Sequence, residues 1–312
     1  MKKILRELGT AWNYFWFDSK SDDTLLRLSI FRIVFCLVMF GCYVARAADV
    51  DFFFSDRGIL PHWHNLGIEA TRFHPTIFAY IESSFQLNLI HSFFLLCLFS
   101  LALGFQTRIS AILVYFLNLM FHNRNLSVMF GVDMIASFYF LYLCFADASY
   151  KYSVDAWLGG GSKKLSIRGH IAWRLMQFQL CVIYGFAGLE KLKGVRWWDG
   201  SAMWDVFQIS NMQRFDLSFV VHFPLVLAAA VYVVLFWEIY FPILIWLPRF
   251  RPYMLFFGFL MHVGIYVFMN LPSFAFMMIS LYILFLTREE IECGLNWLRA
   301  RIKMNNVGAL KQ

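Results

Sequence analysis

Residues 221–247 read VHFPLVLAAAVYVVLFWEIYFPILIWL, and Glu238 is the one formally charged side chain in the run. The run is longer than the about 20 residues a helix needs to cross a hydrocarbon core about 30 Å thick. Seven further apolar runs surround it, at 25–47, 84–104, 109–121 (extended to about 127), 128–147, 171–190, 253–270 and 272–287. Hydrophobic residues make up 60% of the 312 residues and charged residues 15%, with a mean hydropathy of +0.61. Soluble domains average about 45–50% and about 25%, so this much apolar surface needs lipid as its solvent. The runs are continuous rather than alternating, which selects helices over a β-barrel. The expected fold is all-α, a polytopic membrane helix bundle of about eight transmembrane helices.

Charge sets the expected orientation. Of the 27 Lys and Arg residues, 16 fall on segments that are cytoplasmic if the N-terminus is inside, and 7 fall on the opposite segments. The first outer loop is acidic, with Asp49, Asp51, Asp56 and Glu69. Extra Lys and Arg on inner loops is the usual membrane pattern, so the bundle is expected N-in and C-in, in a cell membrane, with a bacterial inner membrane as the expected site. The net charge of +7 has the same origin. No basic block is long enough for a nucleic-acid footprint, so no nucleic acid is expected as a partner. No cleavable leader is expected ahead of Leu25. Most of the six cysteines lie inside apolar runs and no Cys-x-x-Cys occurs, which excludes a disulfide framework or a zinc site as an expectation.

The chain divides into an amphipathic, interfacial N-terminal segment (1–24), a transmembrane bundle (25–287) and a cytoplasmic amphipathic tail (288–312). Residues 1–20 set Trp12, Phe15 and Trp16 beside Lys2, Lys3 and Arg6, and residues 288–303 mix charge with Leu295, Trp297 and Leu298. Both patterns suit helices in the headgroup plane.

Charges inside the spans mark the candidate chemistry. A lone charge at the bilayer centre costs about 2.5–3.5 kcal/mol on insertion scales, so Arg32, Asp133, Arg174 and Glu238 are each expected to face the bundle interior and a partner. For Glu238 two readings stand: a buried ion pair with Arg174, or a proton or substrate site. Pro242 nearby would free a backbone carbonyl. Lys191 closes span five, just beyond the small residues Ala187 and Gly188 that admit a close neighbour. Against apolar walls its charged form loses hydration and it can serve as a neutral-amine base; otherwise its ammonium snorkels to the interface. His62, His64 and His74 share a loop with Asp56 and Glu69, but their spacing fits no metal template, and no metal is expected.

Four stretches, in order, carry a resemblance: FSDRGILP (54–61), FHNRNLSVMFGVDMI (121–135), YGFAGLEKL with WWDGSAM (184–192 and 197–203), and WEIYFPILIWLPRFRP followed by His262 (237–252 onward). Together the chain resembles the vitamin K-dependent γ-carboxylase-like membrane proteins, the horizontally transferred transmembrane (HTTM) domain family. The resemblance implies a carboxylase-like enzyme of the carbon–carbon lyase type that uses a reduced quinone, vitamin K hydroquinone-like, as cofactor. In animal members a lysine deprotonates the hydroquinone, an oxygen-derived base then removes a glutamate γ-proton, and CO₂ adds. That lysine falls on Lys191, with Glu238 and His262 as further catalytic groups. Arg124, Asn125, Asp133, Trp197, Trp198, Asp199 and Gly200 are the implied substrate-binding residues. The carboxylases hold their protein substrate on a large extramembrane domain. None is expected after Leu286, which implies an extramembrane partner subunit and a secreted or periplasmic peptide or protein on the outer side. The alternative is a non-catalytic maturation or export partner for a secreted peptide or toxin. A transporter ranks behind both, for no inverted repeat is visible.

Overall fold

The computed structural model describes residues 2–17, 22–59, 78, 81, 83–125, 128–209 and 212–309. Among them there is no strand, and ten main helices carry the fold: α1 (Lys2–Phe17), α2 (Asp22–Ala45), α3 (Ser84–Leu103), α4 (Thr107–Arg124), α5 (Gly131–Phe145), α6 (Ile167–Lys191), α7 (Pro224–Leu244), α8 (Arg251–Met269), α9 (Pro272–Leu281) and α10 (Arg288–Ala309). A 3₁₀ turn, Tyr282–Phe285, extends α9. The eight apolar runs each coincide with one helix from α2 to α9. Four of these, α2, α3, α7 and α8, are long and apolar enough to cross a membrane, and α5 and α9 are apolar but shorter.

Local chemistry sets the helix ends. Asp22 and Asp23 open α2 where the helix dipole favours negative charge. Ser83 and Ser166 cap α3 and α6 by accepting the backbone N–H groups of Gln86 and Gly169. Asp155, far along the chain, accepts the N–H groups of Gln106 and Thr107 at 2.8 Å each and so caps α4 from outside. Pro224, Pro252 and Pro272 lie in the first turns of α7, α8 and α9, where a missing N–H costs nothing.

Sequential helices pack pairwise from α2 round to α9, and α9 returns against α2, which closes the bundle. Its centre is aromatic. Phe31 and Phe35 of α2 meet Tyr139 and Phe140 of α5, and Met277, Met278 and Leu281 of α9 complete the fully buried core. The polar residues of α6 are used in its packing: Trp173 Nε1 and Gln177 Nε2 both donate to the Leu284 carbonyl, at 3.1 and 2.9 Å. α1 docks on α6 through the Phe15 carbonyl, which accepts from Arg174 Nε at 3.0 Å and lies 2.9 Å from His170 Nε2.

Arg32 fastens the end of the bundle where α3 meets α4. It is fully buried, and the partners it finds are carbonyls rather than a carboxylate: Ala148 at 3.0 Å, Leu101 at 2.7 Å, Ala102 at 2.6 Å and Tyr152 at 2.7 Å. Leu101 and Ala102 belong to the last turn of α3; Ala102 is among the carbonyls the helix leaves unmet, and Leu101 also accepts the Gly104 N–H at 3.0 Å. Gly104, at φ +70°, makes room; a Cβ there would stand 2.5 Å from Arg32 Nη1 and 2.4 Å from Ser153 Cβ. Replacing Arg32 by Leu strands several buried acceptors at about 1–3 kcal/mol each. Arg32→Leu is therefore expected to lower the unfolding temperature of the detergent-solubilised protein sharply, and Arg32→Lys to recover part of the loss. An unchanged melting curve for Arg32→Leu would contradict this role.

Candidate functional site

The site begins with glycines. α6 and α7 pack closely because a Cβ on Gly188 would meet Ile239 Cγ1 at 2.8 Å and Glu238 Cβ at 3.2 Å, and one on Gly185 would meet Pro242 Cγ at 3.0 Å. This approach sets the last turn of α6 beside the middle of α7. Lys191 Nζ then lies 2.7 Å from Glu238 Oε2 and donates to Oε1 at 2.8 Å. The Trp197 ring centroid is 5.2 Å from the same nitrogen, within cation–π range. Glu238 is buried, and the Lys191 side chain is 24% exposed. The ammonium is thus neither bare against apolar walls nor out in water; a carboxylate and an aromatic face replace much of its hydration.

The ion-pair expectation for Glu238 changes partner. Arg174 lies on α6 about 25 Å before Lys191 along the helix axis. It donates to Phe15 O and to Gln177 Oε1 at 3.0 Å each, and its guanidinium stacks 4.2 Å from the Phe15 and Trp173 rings. The reason is register: only the last turn of α6 reaches the level of Glu238.

Beside the Lys191–Glu238 pair lies a cavity of about 560 Å³, inside the about 300–1,000 Å³ range of small-molecule sites. Tyr184, Ala187 and Lys191 line it from successive turns of α6; Val234, Trp237 and Glu238 line it from α7. Met261, His262 and Ile265 come from α8, and Phe274 and Met278 from α9. Two short helices that follow α6, Val195–Trp198 and Ala202–Phe207, supply Trp197, Met203 and Phe207 as a cover. Val233, Phe257 and Phe268 also belong to the wall yet remain 55%, 48% and 42% exposed, so the cavity opens along the flank between α7 and α8.

His262 is 1% exposed. Its Nε2 lies 2.7 Å from Tyr184 Oη, which lies 2.7 Å from Tyr282 Oη. His262 Nδ1 has no hydrogen-bond partner, and Glu238 Oε2, although close to Nζ, has no well-directed donor.

Of the predicted site residues, Lys191, Glu238, His262 and Trp197 converge on this cavity. Trp198, Asp199 and Gly200 build the loop behind it instead. Trp198 Nε1 donates to Leu192 O at 2.7 Å, and its own carbonyl accepts from Tyr232 Oη at 2.7 Å. Asp199 accepts from the hydroxyl and backbone N–H of Ser201, which hold its carboxyl below the usual carboxylate range. Gly200, at φ +79°, lies against Ala228, where a Cβ would come within 2.8 Å.

Arg124, Asn125 and Asp133 form a separate cluster that does not line the cavity. Asp133 takes a two-pronged bond from Arg46 at 2.7 and 3.1 Å and also accepts from the Phe130 N–H. Arg124 donates to Asp56 at 3.0 Å, and Asn125 to the Phe53 carbonyl at 2.8 Å. Arg124 and Asn125 tie the end of α4 to the segment after α2, and Asp133 ties the start of α5 to the end of α2. His62, His64, His74 and Glu69 lie outside the described residues. Among the described residues no cluster of three or more His, Cys, Asp or Glu could hold a metal.

Sequence reasoning missed Tyr184, Tyr282 and Trp237. The signal for Tyr184 was present, since it lies two helical turns before Lys191 and hence on the same face. Nothing in the sequence marks Tyr282 as the partner of Tyr184.

No curated protein and no solved structure matches the chain. The sequence model of the HTTM domain matches residues 22–289, which takes in α2 to α9, the whole cavity wall and the Lys191–Glu238 pair. The chain belongs to the HTTM domain family, a membrane protein related to the transmembrane part of the γ-carboxylases.

Proposed function

We propose that this chain is a quinone-linked membrane enzyme of carboxylase type, with the cavity beside Lys191 as its cofactor site. The observation that carries the reading is the Lys191–Glu238 pair at the edge of an apolar cavity that opens along the flank between α7 and α8, two helices long and apolar enough to cross a membrane. A ligand entering there comes from the hydrocarbon rather than from water. A flat ring with oxygens at its edges fits the aromatic and apolar wall, with the Lys191 amine at the cavity edge as the group that meets a ring oxygen. When bound, a reduced quinone supplies the ring hydroxyl that gives up a proton and the reducing equivalents for the reaction. Lys191 and Glu238 form a proton-holding pair. Their contact of 2.7–2.8 Å is short enough for a proton to pass between amine and carboxyl. A proton leaving an O–H at the cavity edge goes to the amine as the amine's own proton passes to Glu238, so the pair ends as an ammonium beside a neutral carboxyl. Trp197 and its cover keep bulk water from that edge.

The wider arrangement belongs to the same proposal: eight spans, both termini cytoplasmic, Lys191 at the outer face, and a secreted or periplasmic peptide as the substrate, delivered by an extramembrane partner. α1 and α10 then lie along the inner headgroup layer.

Lys191→Ala is expected to lower CO₂ incorporation into a glutamate-containing peptide by about 10²–10⁴-fold in membranes, with the fold retained. Full activity in that variant would remove the base assignment, and its co-purification with a secreted peptide would favour a non-catalytic maturation partner. Asp133→Asn breaks the Arg46 clasp away from the cavity. It is expected to cost about 2 kcal/mol of stability without a measurable change in activity per folded molecule. Loss of activity with unchanged stability would place Asp133 in the site after all.

A further inference from the structure

The end of the bundle where α3 turns into α4 holds a second cavity, of about 520 Å³, which shares no lining residue with the first. Arg108 and Ile109 line it from the first turn of α4 and Arg168 from the first turn of α6. Asp147, Asp155 and Leu158 line it from the segment between α5 and α6. That segment is firmly folded. A Cβ on Gly161 would meet the Ser149 carbonyl at 2.6 Å, the Ser162 N–H donates to Ser149 Oγ at 3.1 Å, and the Gly160 N–H donates to Asp155 O at 2.8 Å. The lining groups therefore stand in place before a ligand arrives.

What the two carboxylates already hold decides the charge of this cavity. Asp155 accepts from the Gln106 N–H with one oxygen, and from the Thr107 N–H and hydroxyl with the other, at the N-terminus of α4. Asp147 Oδ2 accepts from the Ser166 N–H and hydroxyl at 2.6 Å each, at the N-terminus of α6. Each carboxylate thus faces the positive end of a helix dipole. The two arginines are left over. Both are exposed and both occupy a helix position where the dipole disfavours a cation, so neither serves its own helix. Arg108 Nη2 stands 3.8 Å from Asp147 Oδ1, beyond hydrogen-bond length. Arg168 makes no ion pair among the described residues. Exposed Lys163 and Lys164, just before α6, add to the positive charge.

The surroundings of the cavity are apolar. Ile109, Leu158, Trp157 and Ile167 are each more than half exposed. In a membrane such side chains meet acyl chains, and tryptophan favours the headgroup layer. We infer that this cavity binds the headgroup of an anionic phospholipid, with Arg108 from α4 and Arg168 from α6 on the phosphodiester and Ile109 and Leu158 against the first part of the acyl chains. Guanidinium forks match phosphate oxygens, and basic pockets among membrane helices are suited to such headgroups. A free phosphate ion would leave the apolar surroundings in water, which favours the lipid. The inference needs only that the chain lies in a membrane, and it stands apart from the cofactor reading.

The test is native mass spectrometry of the full chain, delipidated in detergent and given equal amounts of phosphatidylglycerol and chain-deuterated phosphatidylcholine. The native chain is expected to take phosphatidylglycerol first, by about tenfold. Arg108→Gln combined with Arg168→Gln is expected to bring the two lipids to near parity with an unchanged melting curve, since both side chains are exposed. The corresponding double Lys variant, which keeps the charge and loses the fork, is expected to fall between. Arg249→Gln removes an exposed cation from the turn between α7 and α8 and is expected to leave the preference as it was. Near parity in the native chain would overturn the inference. So would full preference in the double Gln variant, or an equal loss in Arg249→Gln, which would mean that overall charge and not this cavity selects the lipid. Displacement of the bound lipid by equimolar glycerol phosphate would overturn the lipid assignment in favour of a soluble phosphate ligand.

Discussion

The close approach of α6 and α7 is the constraint on which the site depends. Gly185 and Gly188 have no side chains to hold the helices apart, and only at that separation can the short reach of Glu238 meet the end of Lys191. An isolated ammonium or carboxylate at this depth would be expensive. Together they form a neutral unit, and the Trp197 face covers part of what water leaves. The pair also holds the last turn of α6 in place, from which the covering helices depart.

The same rule, that each polar group in apolar surroundings needs a partner, accounts for the rest of the bundle. At one end Arg32 gathers four carbonyls from two segments, the end of α3 and the loop after α5. At the other, Arg46, Asp133, Tyr43 and Asn118 form a connected set in which Tyr43 Oη donates to Asn118 at 2.6 Å. These networks are closed. The cavity differs from these networks in that its polar pair, Lys191 and Glu238, stands at the edge of an open apolar space of about 560 Å³.

Much of the architecture was legible because span length is set by bilayer thickness and the apolar runs are continuous, so each run coincides with one helix from α2 to α9. Lys191 was legible through the small residues before it, and Glu238 as a charge amid apolar neighbours. The partner of Glu238 was not, because the choice between Lys191 and Arg174 depends on how far α7 slides along α6, which no local pattern encodes. Arg124, Asn125 and Asp133 occupy matched motifs yet make structural ties, Arg124 and Asn125 from the end of α4 to the segment after α2 and Asp133 from α5 to Arg46, since motif order reports sequence neighbours and not the side of the bundle they face. α9 lies inside the bundle although it reads as one more apolar run; a helix that is apolar all round gives no sign of whether lipid or protein will cover it.

The central claim is that the cavity beside the Lys191–Glu238 pair receives a membrane-dissolved ring compound. A cryo-electron microscopy map of the chain in a lipid nanodisc with a reduced naphthoquinone tests it most directly. The account predicts planar density between Trp197 and Trp237, with an oxygen within hydrogen-bond reach of Lys191 Nζ. A map in which the amine is fully hydrated and the space between α7 and α8 is closed or filled by side chains would contradict it.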